Sequence, residues 1–479
     1  MKAALSLDNV LGSLPEPTAS LLQSVAVAAT RLQMPIYLVG GPVRDLLLKR
    51  PLVDVDVMVE GEALALAHAV AELAAEGEIR VVPHDRFGTV RLETADAEID
   101  LARARNERYA HPGALPDTEP GTLDQDMQRR DFGVNALYCR LDADAPGKKV
   151  AVLDPLGGLE DLEARRLRIL HTRSFHDDPT RAFRAARFAA RLGFSLDRRS
   201  RAALRDALRD GAFGSVSGER FRRELQHAFG EAEQGVPVGR VLRLLSDWHV
   251  LSALEPGLLL PKDRVSPLRR LSKSVTEPEW PAPKWRPWLS GLAIWLAPLP
   301  AALRKRTLER FSIRGEQATR IVRFGRDGER ILRALTKARG RGAVDATLGE
   351  LPEETVQALY ALATVPVRRR MLRWALEDRR RRSPVGGGEM KECGLQGPDV
   401  GRALARIRAG FLDGEIANRE EALALAEEMG RRAARREAAA KKDRPRAKTA
   451  RKGRRKVAQA SPITDTPGSP APTDAGPKS

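Results

Sequence analysis

The chain has 479 residues and a formal charge of +18; 42% of its residues are hydrophobic, an ordinary share that makes a globular protein the default class. Its length exceeds what one hydrophobic core usually organises, so several domains are expected. Only Cys139 and Cys393 are present, far apart, which excludes a disulfide framework or a cysteine zinc site and fits a reducing compartment. No stretch approaches the roughly 18 to 20 apolar residues of a membrane span, and the opening MKAALSLDNVLGSLPEP lacks the apolar run of an export signal. A cytoplasmic protein without a membrane segment is expected.

A helical lead-in, TASLLQSVAVAATRLQ, precedes six short runs with period-two alternation and β-branched residues: PIYLVGG, VDVDVMV, IRVVPH, GTVRLET, AEIDLARA and NALYCRL. Among them GEALALAHAVAELAAEG has helical periodicity, so residues 20–145 read as one α/β domain. From DPLGGLEDLEARRLRIL onward the pattern is helical to Gly430, rich in Ala, Leu and Arg. It is interrupted near SVSGER, TEPEWPAPKWRPW and RRRRSPVGGGEM. Residues 431–456 hold 14 Lys and Arg against two acids, so most of the positive charge sits there. With the Pro, Ser, Thr and Gly that follow, residues 431–479 cannot bury enough apolar area to offset ordering, and a disordered basic tail is expected. Such a tail serves either solubility or attraction to a polyanion.

The stretch LVGGPVRDLLLKRPLVDVDVMVEG, residues 38–61, concentrates the chemistry. Gly40 and Gly41 after a strand let the backbone turn tightly and approach an anion, and PVRDLLL can open a helix whose first amides favour phosphate, with Arg44 adding charge. Asp54 and Asp56, two apart on a strand, share a face. Carboxylates so close repel unless a cation lies between them, and hard oxygen ligands suit Mg²⁺. A phosphate cradle beside such a pair is apparatus for nucleotidyl transfer. Asp100, in EIDLAR on a later strand, is a candidate third carboxylate.

Together with RRDFGVNAL (129–137), DPLGGLEDLEARRLRIL (154–170), SFHDDPTRAFRAARFAARLGF (174–194) and SGERFRRELQ (217–226), this stretch closely resembles the class II tRNA nucleotidyltransferase and bacterial poly(A) polymerase family. GLQGPDVGRALARIRAGFLDGEIANREEALALAEE is similar to that family's C-terminal segment. The resemblance implies an α+β protein: a nucleotidyltransferase-type α/β head (20–145), then an all-helical neck with a base-template helix (146–255), a body (256–380) and a tRNA-binding tail (381–430), ahead of the disordered basic C-terminus. It implies catalysis by Asp54 and Asp56 holding Mg²⁺, with Asp100 as a further catalytic candidate. Asp131 would read the ribose hydroxyl, while Arg130 and Asn135 hold sugar and phosphates. Asp178 and Arg181 would read the edge of the incoming base, a carboxylate and a guanidinium being able to match C or A but not easily G or U. Arg184, three residues after Arg181 on the same helix, would reach the triphosphate, and Arg187 is grouped with the nucleotide-binding residues. The substrates implied are CTP and ATP, and the partner is the 3′ end of tRNA.

Two positions depart from the family pattern: Asp177 stands where Glu is usual in the template motif, and Gly133 where Thr is common in the ribose motif. His176–Asp177 also forms the dipeptide of HD phosphohydrolases, but the seven histidines include no suitable cluster of further ligands. Residues 103–128 resemble the flexible loop that CCA-adding members use to switch from C to A, and no poly(A) polymerase signature follows the neck. CCA addition is therefore expected ahead of A addition alone or polyadenylation. A non-catalytic RNA-binding protein is the alternative from another class, and the intact Asp54, Asp56, Asp131, Asp178 and Arg181 argue against it.

Overall fold

The structure is a computed structural model and describes residues 3–52, 55–75, 78–84, 88–141 and 149–442. It comprises two compact units, Met1–Arg381 and Arg382–Ser479. Asp54 and the segment 443–479 of the basic tail lie outside the described residues.

In the first unit all six expected runs form strands of one sheet, in the order Arg80–His84, Thr89–Glu93, Glu98–Arg103, Asp56–Val59, Ile36–Val39, Tyr138–Arg140. Asp56–Val59 and Glu98–Arg103 run parallel, with Asp56 opposite Asp100 and Val57 opposite Leu101. The other described neighbours are antiparallel. Alternation sorts the side chains. Val57, Val59, Ile99 and Leu101 share a core with Leu22 and Val25 of helix Glu16–Arg31 and with Leu66 and Val70 of helix Ala63–Ala71. Tyr37, Met58 and Tyr138 form a smaller cluster with Ala104 and Met127 on the other face. By the same period of two, Asp56 and Asp100 belong to that second face. The larger core also takes in Leu7 and Val10 ahead of residue 20, and Val152 and Leu159 beyond 145.

The stretch expected as a flexible loop, 103–128, contains a hairpin, Arg105–Arg108 with Asp117–Pro120, followed by helix Leu123–Gln128. That helix starts in a capping box: Gln125 N donates to the Thr122 hydroxyl and Thr122 N to the Gln125 side chain. A separate, continuous apolar core runs from Phe132 through Phe183, Phe221, Leu245 and Trp295 to Trp374. It unites the stretches expected as neck and body, because helices Val265–Thr276 and Pro287–Leu296 pack on Val238–Asp247 and Gly218–Gly230.

The second unit is helical, with Met390, Leu395, Ala403, Ile407, Ala422 and Ala426 buried together. Its last helix, Arg419–Lys442, corrects the expectation that disorder begins at 431. Glu427 pairs with Arg431 at 3.5 Å and Glu428 with Arg432 at 2.5 Å, four residues apart, and the alanines that follow favour continued helix. Among the described residues no helix is long and apolar enough to cross a membrane.

Candidate active site

The chain turns sharply at Gly40, where φ is 70° and the amide donates to the Leu137 carbonyl at 2.9 Å. A Cβ there would sit 3.2 Å from both Arg130 Nη1 and the Asn135 carbonyl, so the positive φ favours glycine and the room for a side chain is tight. Gly41 begins the short helix Gly41–Leu47. Arg44 on that helix is only 2% exposed. Its Nη1 donates to Asn135 Oδ1 at 2.5 Å, and its Nε and Nη2 donate to Asp45 at 2.9 and 2.8 Å.

These residues form one wall of a cavity of about 560 Å³. Around it stand Gly40, Gly41, Arg44, Asp56, Arg130, Asp131, Asn135, Asp178, Arg181, Arg184 and Arg187. Every described residue proposed from sequence is thus gathered there except Asp100. That residue lies in register beside Asp56, but Arg91 grips its carboxylate with Nε at 2.8 Å and Nη2 at 3.0 Å, and it does not line the cavity. Asp56 is exposed, whereas the next three strand residues are buried. Its hard oxygens suit a divalent cation, and Asp54, two positions earlier, adds the same donor type. Among the described residues no cluster of three or more metal-ligating side chains forms.

Asp131 is buried at the centre of the polar network. Its Oδ1 accepts from Phe132 N at 2.9 Å and Asn135 Nδ2 at 3.0 Å, and its Oδ2 pairs with Arg184 at 2.7 Å. Burial alone would raise its pKa, but the Arg184 charge and these hydrogen bonds outweigh burial and hold it below the usual carboxylate range. Arg130 donates to Asp126 at 2.8 Å and to the Tyr138 hydroxyl at 2.9 Å.

Asp126 is a residue the sequence reading missed. It is fully buried, and it also accepts from Arg129 at 2.5 Å and from the Tyr138 hydroxyl at 2.5 Å. Against the cost of burial, Arg130, Arg129 and Tyr138 draw its pKa down to about 2. The available signal was its place three and four residues before the two arginines, the spacing of neighbours on a helix face.

At the start of helix Arg181–Leu192, Asp178 Oδ1 accepts from Thr180 N at 3.0 Å, Thr180 Oγ1 at 2.6 Å and Arg220 Nη2 at 2.8 Å. Arg181 is buried, with Nη1 on Ser174 Oγ at 2.6 Å and Nη2 on the Arg129 carbonyl at 3.0 Å. Arg187 donates to Glu231 at 2.9 Å and lies 3.4 Å from Glu224. Burial raises the pKa of Glu224 despite the Arg184 and Arg187 charges. Arg220, also missed, sits in SGERFRRELQ and joins the Asp177–Asp178 segment to the hairpin: its Nη1 donates to the Gly113 carbonyl at 2.7 Å, while Gly113 N donates to the Asp177 carbonyl at 3.1 Å.

The departure at Gly133 has a local cause. A Cβ at this position would overlap Asp161 Oδ2, and Gly133 N is committed to the Arg168 carbonyl at 2.9 Å. Asp161 is itself fixed by Arg166 Nε at 2.5 Å and Arg168 Nε at 3.0 Å, so it cannot easily give way. Among the described residues that line the cavity, ten arginines face six carboxylates, an excess that favours a polyanion.

Residues 36–168 match the Poly A polymerase head domain. The chain is 31% identical to an A-adding tRNA nucleotidyltransferase of Geobacter sulfurreducens over 86% of its own length and 47% of that protein's. It therefore spans about half of that relative. A second A-adding tRNA nucleotidyltransferase, from Halalkalibacterium halodurans, is 30% identical over 88% of this chain and 95% of the relative. A solved CCA-adding enzyme in apo form superposes with a TM-score of 0.72 at 26% identity, covering 88% of this chain and 98% of that one. With the glycine turn, the RRD segment and helix Arg181–Leu192 meeting at one cavity, and with a relative matched almost end to end, the chain belongs to the class II tRNA nucleotidyltransferase and bacterial poly(A) polymerase family.

Proposed function

We propose that this chain, in the cytoplasm, transfers nucleotides from CTP and ATP to the 3′ end of tRNA without a nucleic-acid template, adding C, C and A. The observation that carries the reading is the convergence of the glycine turn, Asp56, Arg130–Asp131–Asn135 and Asp178–Arg181 on one cavity rich in guanidinium groups. Arg44, Arg130, Arg184 and Arg187, all of which line the cavity, hold the phosphates. Asp131 and Asn135 receive the ribose, their mutual hydrogen bond fixing both side chains before substrate arrives. Asp178 offers an acceptor and Arg181 donors to the base edge. A base lacking the matching pattern leaves these groups unpaired, which is the basis of strong discrimination. Asp54 and Asp56 would hold the divalent cation, Mg²⁺ in this reading, and the bound metal supplies activation of the attacking hydroxyl and neutralisation of the leaving pyrophosphate.

The hairpin supports the full CCA reading, because its tip touches Asp177 and, through Arg220, Asp178, so a shift of the tip can re-aim the base reader. A second reading, addition of the terminal A alone, is favoured by the A-adding relatives that align along most of the chain. The deciding experiment offers the protein, CTP, ATP and Mg²⁺ three RNAs: a tRNA transcript lacking CCA, one ending in CC, and an unrelated RNA. Sequenced 3′ ends should show CCA on the first and A on the second, with no tail on the third. A added only after CC overturns the CCA assignment, long A tails on unrelated RNA indicate a poly(A) polymerase, and no incorporation anywhere leaves an RNA-binding protein.

A further inference from the structure

Three guanidinium groups surround one aromatic ring in the cavity. The centre of the Arg44 guanidinium lies 5.2 Å from the Phe188 ring centroid, that of Arg184 at 5.4 Å and that of Arg191 at 6.0 Å. All four residues line the cavity, and Phe188 is only 8% exposed. Arg184, Phe188 and Arg191 recur at spacings of four and three on helix Arg181–Leu192, hence on one face. Arg44 comes from the short helix after the glycine turn. The ring is therefore where the α/β portion and the template helix bring their cations together.

Three like charges so near one another would separate into solvent unless something held them. Each has one carboxylate partner: Asp45 for Arg44 at 2.8 Å, Asp131 for Arg184 at 2.7 Å, Glu231 for Arg191 at 2.6 Å. Those acids belong to three different segments and fix each guanidinium from its own side. The Phe188 ring is the shared contact. Its negative π face attracts cations without using their N–H donors, so the contact takes none of the donors left over from the pairs with Asp45, Asn135, Asp131 and Glu231. Phe132 packs edge-on against the ring, with centroids 6.0 Å apart and planes at 87°, which fixes its orientation.

We propose that Phe188 is a positioning residue whose ring sets Arg44 against Arg184 and Arg191, making one polyphosphate cradle out of cations from two parts of the fold. The inference rests on the nucleotide-binding reading above and adds to it the residue that organises the phosphate end. Because the phosphates are common to every nucleoside triphosphate, the ring governs affinity for CTP and ATP alike and leaves base selection to Asp178 and Arg181.

The test measures binding of inorganic tripolyphosphate to the full chain by calorimetry, beside steady-state kinetics with each nucleotide. Phe188→Leu and Phe188→Met keep apolar volume and lose the π face, whereas Phe188→Tyr keeps both. Loss of the shared cation–π contacts should weaken tripolyphosphate binding about tenfold in the Leu and Met variants. The KM for CTP and ATP should rise by the same factor with kcat within about twofold, and Tyr should restore wild-type values. Circular dichroism identifies which variants are folded, and either folded variant suffices. A folded Leu or Met variant that binds tripolyphosphate like wild type overturns the proposal, as does a Tyr variant as weak as Leu. A wild-type chain that binds no tripolyphosphate overturns instead the nucleotide-binding reading itself.

Discussion

Asp126→Asn removes one negative charge and almost no volume from beneath the cavity. The carboxylate is fully buried and serves Arg129, Arg130 and Tyr138, while the two arginine side chains remain 16% and 19% exposed. Its pKa of about 2 lies nearly two units below the ordinary 3.8, which corresponds to roughly 2 to 3 kcal/mol of stabilisation at neutral pH. Removing one partner of a fully buried pair costs about 3 to 5 kcal/mol, and the partial solvation of the arginines places this site at the lower end. We expect about 3 kcal/mol, on the order of a hundredfold in local opening. Because the folded-state pKa is depressed, the stabilisation is complete above about pH 4 and disappears as pH falls through about 2. All six tryptophans lie from Trp248 to Trp374, beyond the sheet, so tryptophan fluorescence is blind to this region. Hydrogen exchange of peptides covering 123–140, read by mass spectrometry, reports it directly. The variant should lose about a hundredfold in protection at pH 7, with the gap closing towards pH 2. A gap below threefold at pH 7, or one unchanged between pH 5 and pH 2, would refute the assignment of Asp126 as the buried anchor.

Gly133→Thr, which restores the residue common in the family, should destabilise the chain by about 1 to 3 kcal/mol, since its Cβ overlaps the pinned Asp161; urea unfolding followed by circular dichroism checks this, and an unchanged midpoint contradicts it. Asp56→Ala should lower nucleotide incorporation by on the order of a thousandfold, the several kcal/mol a metal supplies to charge stabilisation. Binding of tRNA by the same variant, measured by filter retention, should stay within about threefold, and near-normal turnover would exclude Asp56 from the metal site.

The six strands were legible because alternation is a local property: Val57, Val59, Ile99 and Leu101 point one way and Asp56 and Asp100 the other in any sheet built from these runs. The candidate site was legible for a related reason, since GGPVRD, RRDFGVNAL and DDPTR are short segments in which spacing sets which side chains share a face. Partner choice across the chain was not legible. Asp100 and Asp56 are both carboxylates on one face, yet Arg91 from the neighbouring strand claims the first and the cavity receives the second. Arg44 reads as added charge beside the glycine turn, but that Asn135 and Asp45 would hold it could not be read from spacing. Arg220 reaches Gly113 and Asp178, 107 and 42 residues away, an encounter no periodicity encodes. The helix past Gly430 was missed for a different reason: a composition unable to bury much apolar area argued for disorder, whereas the spacing of Glu427 and Glu428 before Arg431 and Arg432 gives helix-stabilising pairs that need no burial. Composition and period therefore determined the elements and the chemistry they could carry. Only the packed tertiary structure decided which charges meet, because an ion pair depends on distances of a few ångströms between segments whose approach is set by the cores on either side.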